Sequence, residues 1–572
     1  MTFRWNIAPP QPLFVAKLVN ELRLSPLLAQ CLLNRGLNES PAAAAFLDPR
    51  LKALANPFLL PNMAAAVERL WLARARTEPL VIFGDYDVDG VTSTALLVQA
   101  LRALGWQVES YLPHRMDEGY GLSRDGAENC LQKFPATTLL LAVDCGSTAV
   151  ESIGWLRGRG VEVVVLDHHQ VSSPPPDAVA LVNPQLSVAG TFHELCSVGI
   201  AFKFVHALVK RGREEGLPAF TEFDLRLLLD LLALGTVADL VPLTGENRIL
   251  VPAGLERLGK TRRPGLMALK KVAEVKGEVG AYEVGFQLGP RLNAAGRMEN
   301  AESALRLILA EDAAEAEPLA AELDARNRER QEVERGITEQ AAGAVRARFD
   351  AARDYVIVEG QLLWHIGVVG IVASRVLREF YRPTLILGGD ASGFRGSGRS
   401  IEGFDLAAAL RECGDLLVRH GGHAMAAGIT VQADKVDALR ERLNAIARRT
   451  LRPDQLQPPL RLDAEASLAD LTLDAVAELS RLEPFGQGNP AVQLVVRGVR
   501  CSRPPLRMGR EKQHAKFFVT DGAANAEAVF WNVGAAALPD GVFDLAAVPQ
   551  VNEFNGRRSV QLKVLDWRPA TT

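Results

Sequence analysis

The chain has 572 residues, 48% of them hydrophobic and 23% charged, with a formal net charge of −4. That length exceeds one hydrophobic core and implies about three or four domains, and the composition excludes a disordered or fibrous protein. The acidic balance excludes attraction of the whole surface to nucleic acid, so any polyanion must be held by a local basic patch.

Residues 1–60 read as a helical lead-in, rich in Leu, Ala and Pro. The start, Met1-Thr2-Phe3-Arg4-Trp5, lacks the apolar core of a signal peptide, and no run of about 18 uncharged apolar residues follows, so a soluble cytoplasmic chain without a membrane span is expected. From residue 61 strands alternate with helical patterns, the signature of a parallel sheet. Pro79 to Phe83 runs into Gly84-Asp85-Tyr86-Asp87-Val88-Asp89-Gly90, and a helix is expected over Val91 to Leu104. Thr138 to Val143 runs into Asp144, and Val161 to Leu166 into Asp167-His168-His169.

In an open α/β sheet the ligand site lies beyond the carboxyl ends of the strands, so three such strands would build one cluster of carboxylate and imidazole. Such a cluster repels itself unless cations fill it. Alternate residues of an extended segment share one face, which lets Asp85, Asp87 and Asp89 reach one or two ions from one side. Oxygen ligands with an occasional imidazole suit Mn²⁺ or Mg²⁺, and paired ions can clamp a phosphoryl group. An isolated Asp after a strand would instead cap the next helix. A calcium loop is excluded, because its twelfth position, counted from Asp85, is Leu96. Asp239 ends the apolar helix pattern Leu232 to Ala238, after a glycine that permits a turn, and reads as either ligand or cap.

Residues 301–350 have the Ala, Glu and Arg content of a long connecting helix. Pro318 is expected to break or start a segment there, and Glu322 to Arg335 to form a solvated face. A second α/β unit spans 351–450: a strand from Tyr355, a helix over Gly367 to Phe380, a strand from Pro383 to Leu387, and the glycine-rich turn Gly393 to Ser400. In that turn glycines would let backbone approach an anion, with Ser397 and Arg399 as donors; a plain hairpin is the competing reading. His114-Arg115 is a further phosphate candidate, and Arg115, Ser397 and Arg399 together would hold a 5′-terminal phosphate. The three prolines within 451–460 suggest a linker, and short strands beyond it a small β-barrel.

Residues 491–572 hold eleven Lys/Arg against seven Asp/Glu. Arg503, Arg507, Arg510, Lys512, Lys516, Arg557 and Arg558 lie among Phe517, Phe518, Phe530, Trp531 and Phe554. A basic groove with stacking aromatics is the pattern of single-strand binders on OB barrels, although most of Phe517, Phe518 and Phe530 are expected in the barrel core. Cys31, Cys130, Cys145, Cys196, Cys413 and Cys501 include no C-x-x-C pair, which fits a reducing compartment.

Read in order, GDYDVDG (84–90), VDCG (143–146), LDHH (166–169), GTVADLVPL (235–243), GPRLNAAGR (289–297), SGRS (397–400), GGHAMAAG (421–428) and EPFGQGNP (483–490) form a specific series. The series resembles the DHH phosphoesterase superfamily and, within it, the branch of single-stranded-DNA-specific exonucleases. The resemblance implies two α/β domains, DHH (61–300) and DHHA1-like (351–450), joined by the long helix at 301–350 and followed by a linker and OB-type barrel at 451–572.

It also implies two Mn²⁺ or Mg²⁺ ions on Asp85, Asp87, Asp89, Asp144, His168 and Asp239, with Asp144 bridging. His169 would orient the site or meet the scissile phosphate. Arg291, Arg297 and Asn293 would contact phosphate, as would His423 from across a cleft. Some superfamily members carry a histidine four residues before the first Asp of D-x-D-[GA]; with Asp87-x-Asp89 as the equivalent pair, that position here is Phe83, and Asp85 could compensate. The implied activity is 5′→3′ hydrolysis of single-stranded DNA to 5′-mononucleotides in repair and recombination. A single-strand-binding protein and a RecQ-type helicase are the implied partners of a monomeric enzyme. The rivals are a DHH phosphodiesterase of short oligonucleotides or cyclic dinucleotides, and a non-catalytic replication scaffold.

Overall fold

The computed structural model describes residues 3–114, 118–119, 121–298, 300–390, 393–534 and 536–570. It divides into two units: Leu37–Asn327 with Leu479–Ala491, and Met1–Gly36 with Arg328–Glu478 and Val492–Thr572.

The first unit is built on five parallel strands. Leu80–Phe83 (β1) leads into helix Val88–Ala103 (α1), followed by Val108–Tyr111 (β2), Leu139–Val143 (β3), Glu162–Leu166 (β4) and Ala180–Val182 (β5). Their order is β2-β1-β3-β4-β5. β1 and β3 are buried along their whole length, as expected of strands covered on both faces. The order reverses between β1 and β3, which places a crevice at the carboxyl ends of those two strands. Helices Ser197–Glu214 (α2) and Leu229–Ala238 (α3) pack with α1. The glycine expected to permit a turn before Asp239, Gly235, instead lies inside α3. A Cβ there would come within 2.3 Å of Thr92 Oγ1, so it serves close helix packing.

GPRLNAAGR forms helix Gly289–Met298 (α4), directly after a π-helical turn at Val284–Leu288. Helix Ala313–Arg348 (α5) then carries the chain out of this unit. Pro318 lies within α5 and does not break it. The expected solvated face is also corrected, because Asp324, Asn327, Arg330 and Glu334 are buried. Tertiary partners account for this: Asp324 pairs with Arg291 at 2.9 Å, and Glu334 with Arg330 and Arg375.

The second unit contains Ile357–Gly360 (β6), Val369–Phe380 (α6), Thr384–Asp390 (β7), Gly393–Arg399 (β8), Leu417–His423 (β9) and Ala426–Val431 (β10), in the mixed order β9-β10-β8-β7-β6. The expected glycine-rich turn is therefore strand β8, flanked by β7 and β10. Glycine is required there by close packing, since a Cβ on Gly396 would meet Leu387 Cδ2 at 2.3 Å.

The stretch read as a proline-rich linker is also ordered. Pro459–Leu462 pairs in parallel with Arg4–Ile7, Arg4 opposite Pro459, so the expected helical lead-in begins as a strand. Trp5, Leu460, Leu462 and Val495 share a small core. The barrel comprises Leu494–Met508 (β11), His514–Thr520 (β12), Asn525–Phe530 (β13), Val542–Phe554 (β14) and Arg557–Pro569 (β15). Pairing runs β11-β12-β13-β15-β14 and closes β14 onto β11, the connectivity of an OB barrel.

Candidate metal centre

β1, β3 and β4 deliver their aspartates to one crevice. Asp85, just after β1, is buried and accepts from the Tyr86 N–H at 2.8 Å. Asp87 is the N-cap of α1 and accepts from the Gly90 N–H at 3.1 Å. The capping reading and the ligand reading are thus compatible in one residue. Asp89, in the first turn of α1, is buried and accepts from Ser197 N at 2.7 Å and Val198 N at 2.8 Å, so the N-terminus of α2 is aimed at it. Asp144 follows β3 in a left-handed conformation, φ 62°. A non-glycine residue held there stores strain of the kind found at functional sites. Its carboxylate accepts from Ser197 Oγ at 2.8 Å.

Asp167, after β4, is an anchor. Its carboxylate accepts from the N–H groups of Ser147, His168 and His169, and contacts His169 Nδ1 at 2.8 Å. Those bonds hold the two imidazoles. His168 Nε2 lies 3.6 Å from Asp144, 3.6 Å from Asp239 and 3.9 Å from Asp89. Three sets of donor atoms lie within 4.8 Å of one another: Asp85, Asp87 and Asp144; Asp89, His168 and Asp239; and Asp144, His168 and His169. Asp144 belongs to two of them. Phe83 is buried and stacks on Tyr111, while Asp85 completes the first set.

The electrostatics are those of a site built for cations. Burial holds the Asp144 carboxyl well above the usual range, and the charges of Asp89, Asp87, Asp85 and Asp239 add to it. Burial, then Asp89 and Asp87, push Asp239 up to about 9. Asp89 is raised by burial and by Asp87, against the opposing effect of His168. Burial lowers His168. Burial also works against a charged His169, but its bond to Asp167 and the nearby acidic groups outweigh this and raise it to about 9. His168 Nε2 and Asp239 Oδ2 are buried with no hydrogen-bond partner among the described residues. A buried polar atom without a partner is costly unless something unseen satisfies it. Carboxylates with one imidazole match Mn²⁺ or Mg²⁺, so the donor set fits the expected ions.

Other expected site residues have more varied places. Asn293 Oδ1 accepts from the Val88 N–H at 3.2 Å, so it steadies the D-x-D loop through its carbonyl end. Arg297 is half-buried on α4. Arg291 is engaged by Asp324 at 2.9 Å and the Gln287 carbonyl at 2.7 Å, which makes it a brace of α4 against α5. Arg115 lies outside the described residues.

In the second unit, Arg399 donates to Ser397 Oγ at 3.0 Å, and both lie beside Gly370 in the first turn of α6. His423 is exposed at the end of β9.

On the barrel, Phe517 is core, whereas Phe518 and Phe530 are half-buried, fewer core aromatics than expected. Arg503 stacks 4.0 Å over Phe518. Arg510, Lys512, Arg557 and Arg558 are exposed. Lys516 pairs with Glu527 at 2.7 Å, and Arg507 donates to the carbonyls of Gly534 and Ala536.

Sequence reasoning missed Asp167 and Ser197 as supports of the site. Asp167 carries a local signal, the first letter of D-H-H. Ser197 carries none, because only folding brings it 53 positions back to Asp144.

Comparison with known proteins agrees with this geometry. Family models match residues 79–236 (DHH family, N-terminal domain), 353–449 (DHHA1 domain) and 462–566 (RecJ OB domain). The chain is 38% identical to the single-stranded-DNA-specific exonuclease RecJ of Bacillus subtilis over 98% of its own length and 70% of that relative. It is 38% identical to RecJ of Dickeya dadantii over 91% and 92% of the two chains. The crystal structure of RecJ in complex with Mn²⁺ from Thermus thermophilus superposes with a TM-score of 0.85 at 31% identity, covering 100% of this chain and 80% of that one.

Proposed function

This chain belongs to the RecJ family of single-stranded-DNA-specific exonucleases, and from that premise we propose that it degrades single-stranded DNA from the 5′ end, releasing 5′-mononucleotides, in DNA repair and recombination. The observation that carries the reading is the convergence of Asp85, Asp87, Asp89, Asp144, His168 and Asp239 at one sheet edge, with the donor atoms of each set within 4.8 Å.

These six residues would hold two Mn²⁺ or Mg²⁺ ions, Asp144 shared between them. When bound, such ions neutralise phosphate charge and supply a nucleophilic water at neutral pH. The chain's own groups do the rest. Asp167 holds His169 in place and raises its affinity for a proton, which suits it to meeting a scissile phosphate. Asn293 fixes the loop carrying Asp87 and Asp89. Arg297, with Ser397 and Arg399 beside the first turn of α6, offers donors for phosphate, and Arg115 and His423 are assigned to the same task. Catalysis of this kind is mostly positioning and charge complementarity.

The exposed Arg503, Arg510, Lys512, Arg557 and Arg558 of the barrel would follow the DNA backbone, with Arg507 and Lys516 contributing less because both are engaged within the fold. A single-strand-binding protein and a RecQ-type helicase would deliver substrate to a cytoplasmic, monomeric enzyme.

The deciding measurement is a product assay on strands labelled at either end, with and without Mn²⁺. Mononucleotides appearing first from the 5′ end, only with the cation, are expected. Release from the 3′ end, or metal-independent cleavage, would reject the proposal.

A further inference from the structure

EPFGQGNP has no role in the metal centre or in the barrel as described so far. Its place in the fold is unexpected. Residues Leu479–Ala491 belong to the same compact unit as the parallel sheet, although the chain on either side of them does not. The segment returns to that unit after an excursion that begins at Arg328.

Where it lands is specific. Asp239 ends α3, and the next residue, Leu240, turns the chain in a left-handed conformation, φ 61°. A short connection then reaches the helix Gly245–Gly259. The returning segment fastens that connection. The Leu243 N–H donates to the Gln487 carbonyl at 2.8 Å. Gly488 (φ +72°) lies against Pro242, where an added Cβ would come within 3.0 Å.

Arg248 is buried and serves as the clasp. It donates to the carbonyls of Arg481 (2.9 Å), Leu482 (2.9 Å), Glu483 (2.6 Å) and Phe46 (2.9 Å). Asn489, also buried, closes the segment on itself through Leu482 and Pro484 carbonyls at 2.7 and 3.0 Å. From the other side, buried Asn247 donates to the Pro242 carbonyl at 3.0 Å.

We propose that residues 481–489 are a strap that positions Asp239, with Arg248 and Gly488 as positioning residues. The inference rests on the reading of Asp239 as a metal ligand. A carboxylate at a helix end is only as well placed as the chain that follows it. Here that chain is held by the strap on one side and by Asn247 on the other.

The test is a Mn²⁺ titration of the full chain that counts ions and their affinities, for the parent, Arg248→Lys, Gly488→Ala and Asp239→Ala. Supporting carboxylates and their partners typically change metal affinity by about 10- to 100-fold, so Arg248→Lys and Gly488→Ala should each weaken one Mn²⁺ by about tenfold. The other ion should keep its affinity. The rate kcat at limiting Mn²⁺ should fall with KM for DNA unchanged, and excess Mn²⁺ should restore it.

Loss of affinity for both ions alike, or for neither, overturns the strap assignment, because a merely structural segment would not single out one ion. If one variant does not fold, the other carries the test. If Asp239→Ala still binds two ions as the parent does, the reading of the metal centre itself is overturned.

Discussion

The metal centre and the outer face of the barrel use charge in opposite ways. In the crevice, Asp85, Asp89 and Asp144 are buried, and their mutual repulsion raises their neighbours' affinity for protons or cations. On the barrel, Arg503, Arg510, Lys512, Arg557 and Arg558 are exposed, where water screens each of them. Concentrated charge makes every residue indispensable, whereas distributed charge makes each one replaceable. The same contrast separates chemistry, which needs a fixed geometry, from grip on a flexible polyanion, which needs only a positive surface.

The sharpest break of that contrast is Asp144→Ala. It removes a carboxylate that belongs to two donor sets, and hydrolysis should fall on the order of 10³-fold or more while affinity for single-stranded DNA persists. A gel-shift and product assay on the same preparation would measure both. An enzyme that keeps a tenth of its rate would remove the distinction.

A second effect concerns stability. Burial and its acidic neighbours push Asp239 up to about 9 in the fold, and Asp144 and Asp89 are also raised, against about 3.9 for an unfolded aspartate. A carboxyl whose folded pKa is raised stabilises the fold fully below its unfolded pKa, and that stability is lost as pH rises through the folded value. The metal-free protein should therefore lose thermal stability between about pH 4 and 9, and Mn²⁺ should restore more of it at pH 8 than at pH 5. Melting curves in chelator and in Mn²⁺ across that range provide the check. A cation effect that shrinks with pH would contradict the reading.

The barrel should respond differently. Replacing Arg503, Arg510, Lys512 and Arg557 together by alanine should lower the salt slope of single-strand binding by about 0.7 per residue removed, while kcat at saturating DNA stays near the parent value. The smallest effect is expected for a single change such as Lys512→Ala, about twofold or less in affinity, in keeping with weak exposed ion pairing. A single barrel substitution that abolished binding would show the grip to be as concentrated as the chemistry.

How much of this could be read from the chain depends on distance along it. The strands ending at Asp85, Asp144 and His168 were visible because an apolar run followed by Asp is a local pattern, and the rule for parallel sheets then brings their ends together. The helix after Asp89 and the closed barrel at the C-terminus were visible for the same kind of reason. Strand β8 was misread because its glycines resemble a turn locally, and only the crowding by Leu387 explains them. The acidic and basic residues of α5 resembled a solvated surface, and only their partners Arg291 and Arg375 show why Asp324 and Glu334 are buried. The brace made by Arg291 is hidden for the matching reason, since a lone arginine in a motif gives no sign of an aspartate 33 positions later.

The sequence by itself therefore determined which side chains are offered at the sheet edge and which strands present them, because apolar periodicity and strand-end aspartates are local properties. Only the tertiary structure decided how those side chains are held: Ser197 on Asp144, the start of α2 on Asp89, and residues 481–489 against the loop after Asp239. The physical reason is that such supports are hydrogen bonds and contacts between positions 50 to 250 residues apart, which no local pattern encodes and which arise only when burial forces each polar group to find a partner.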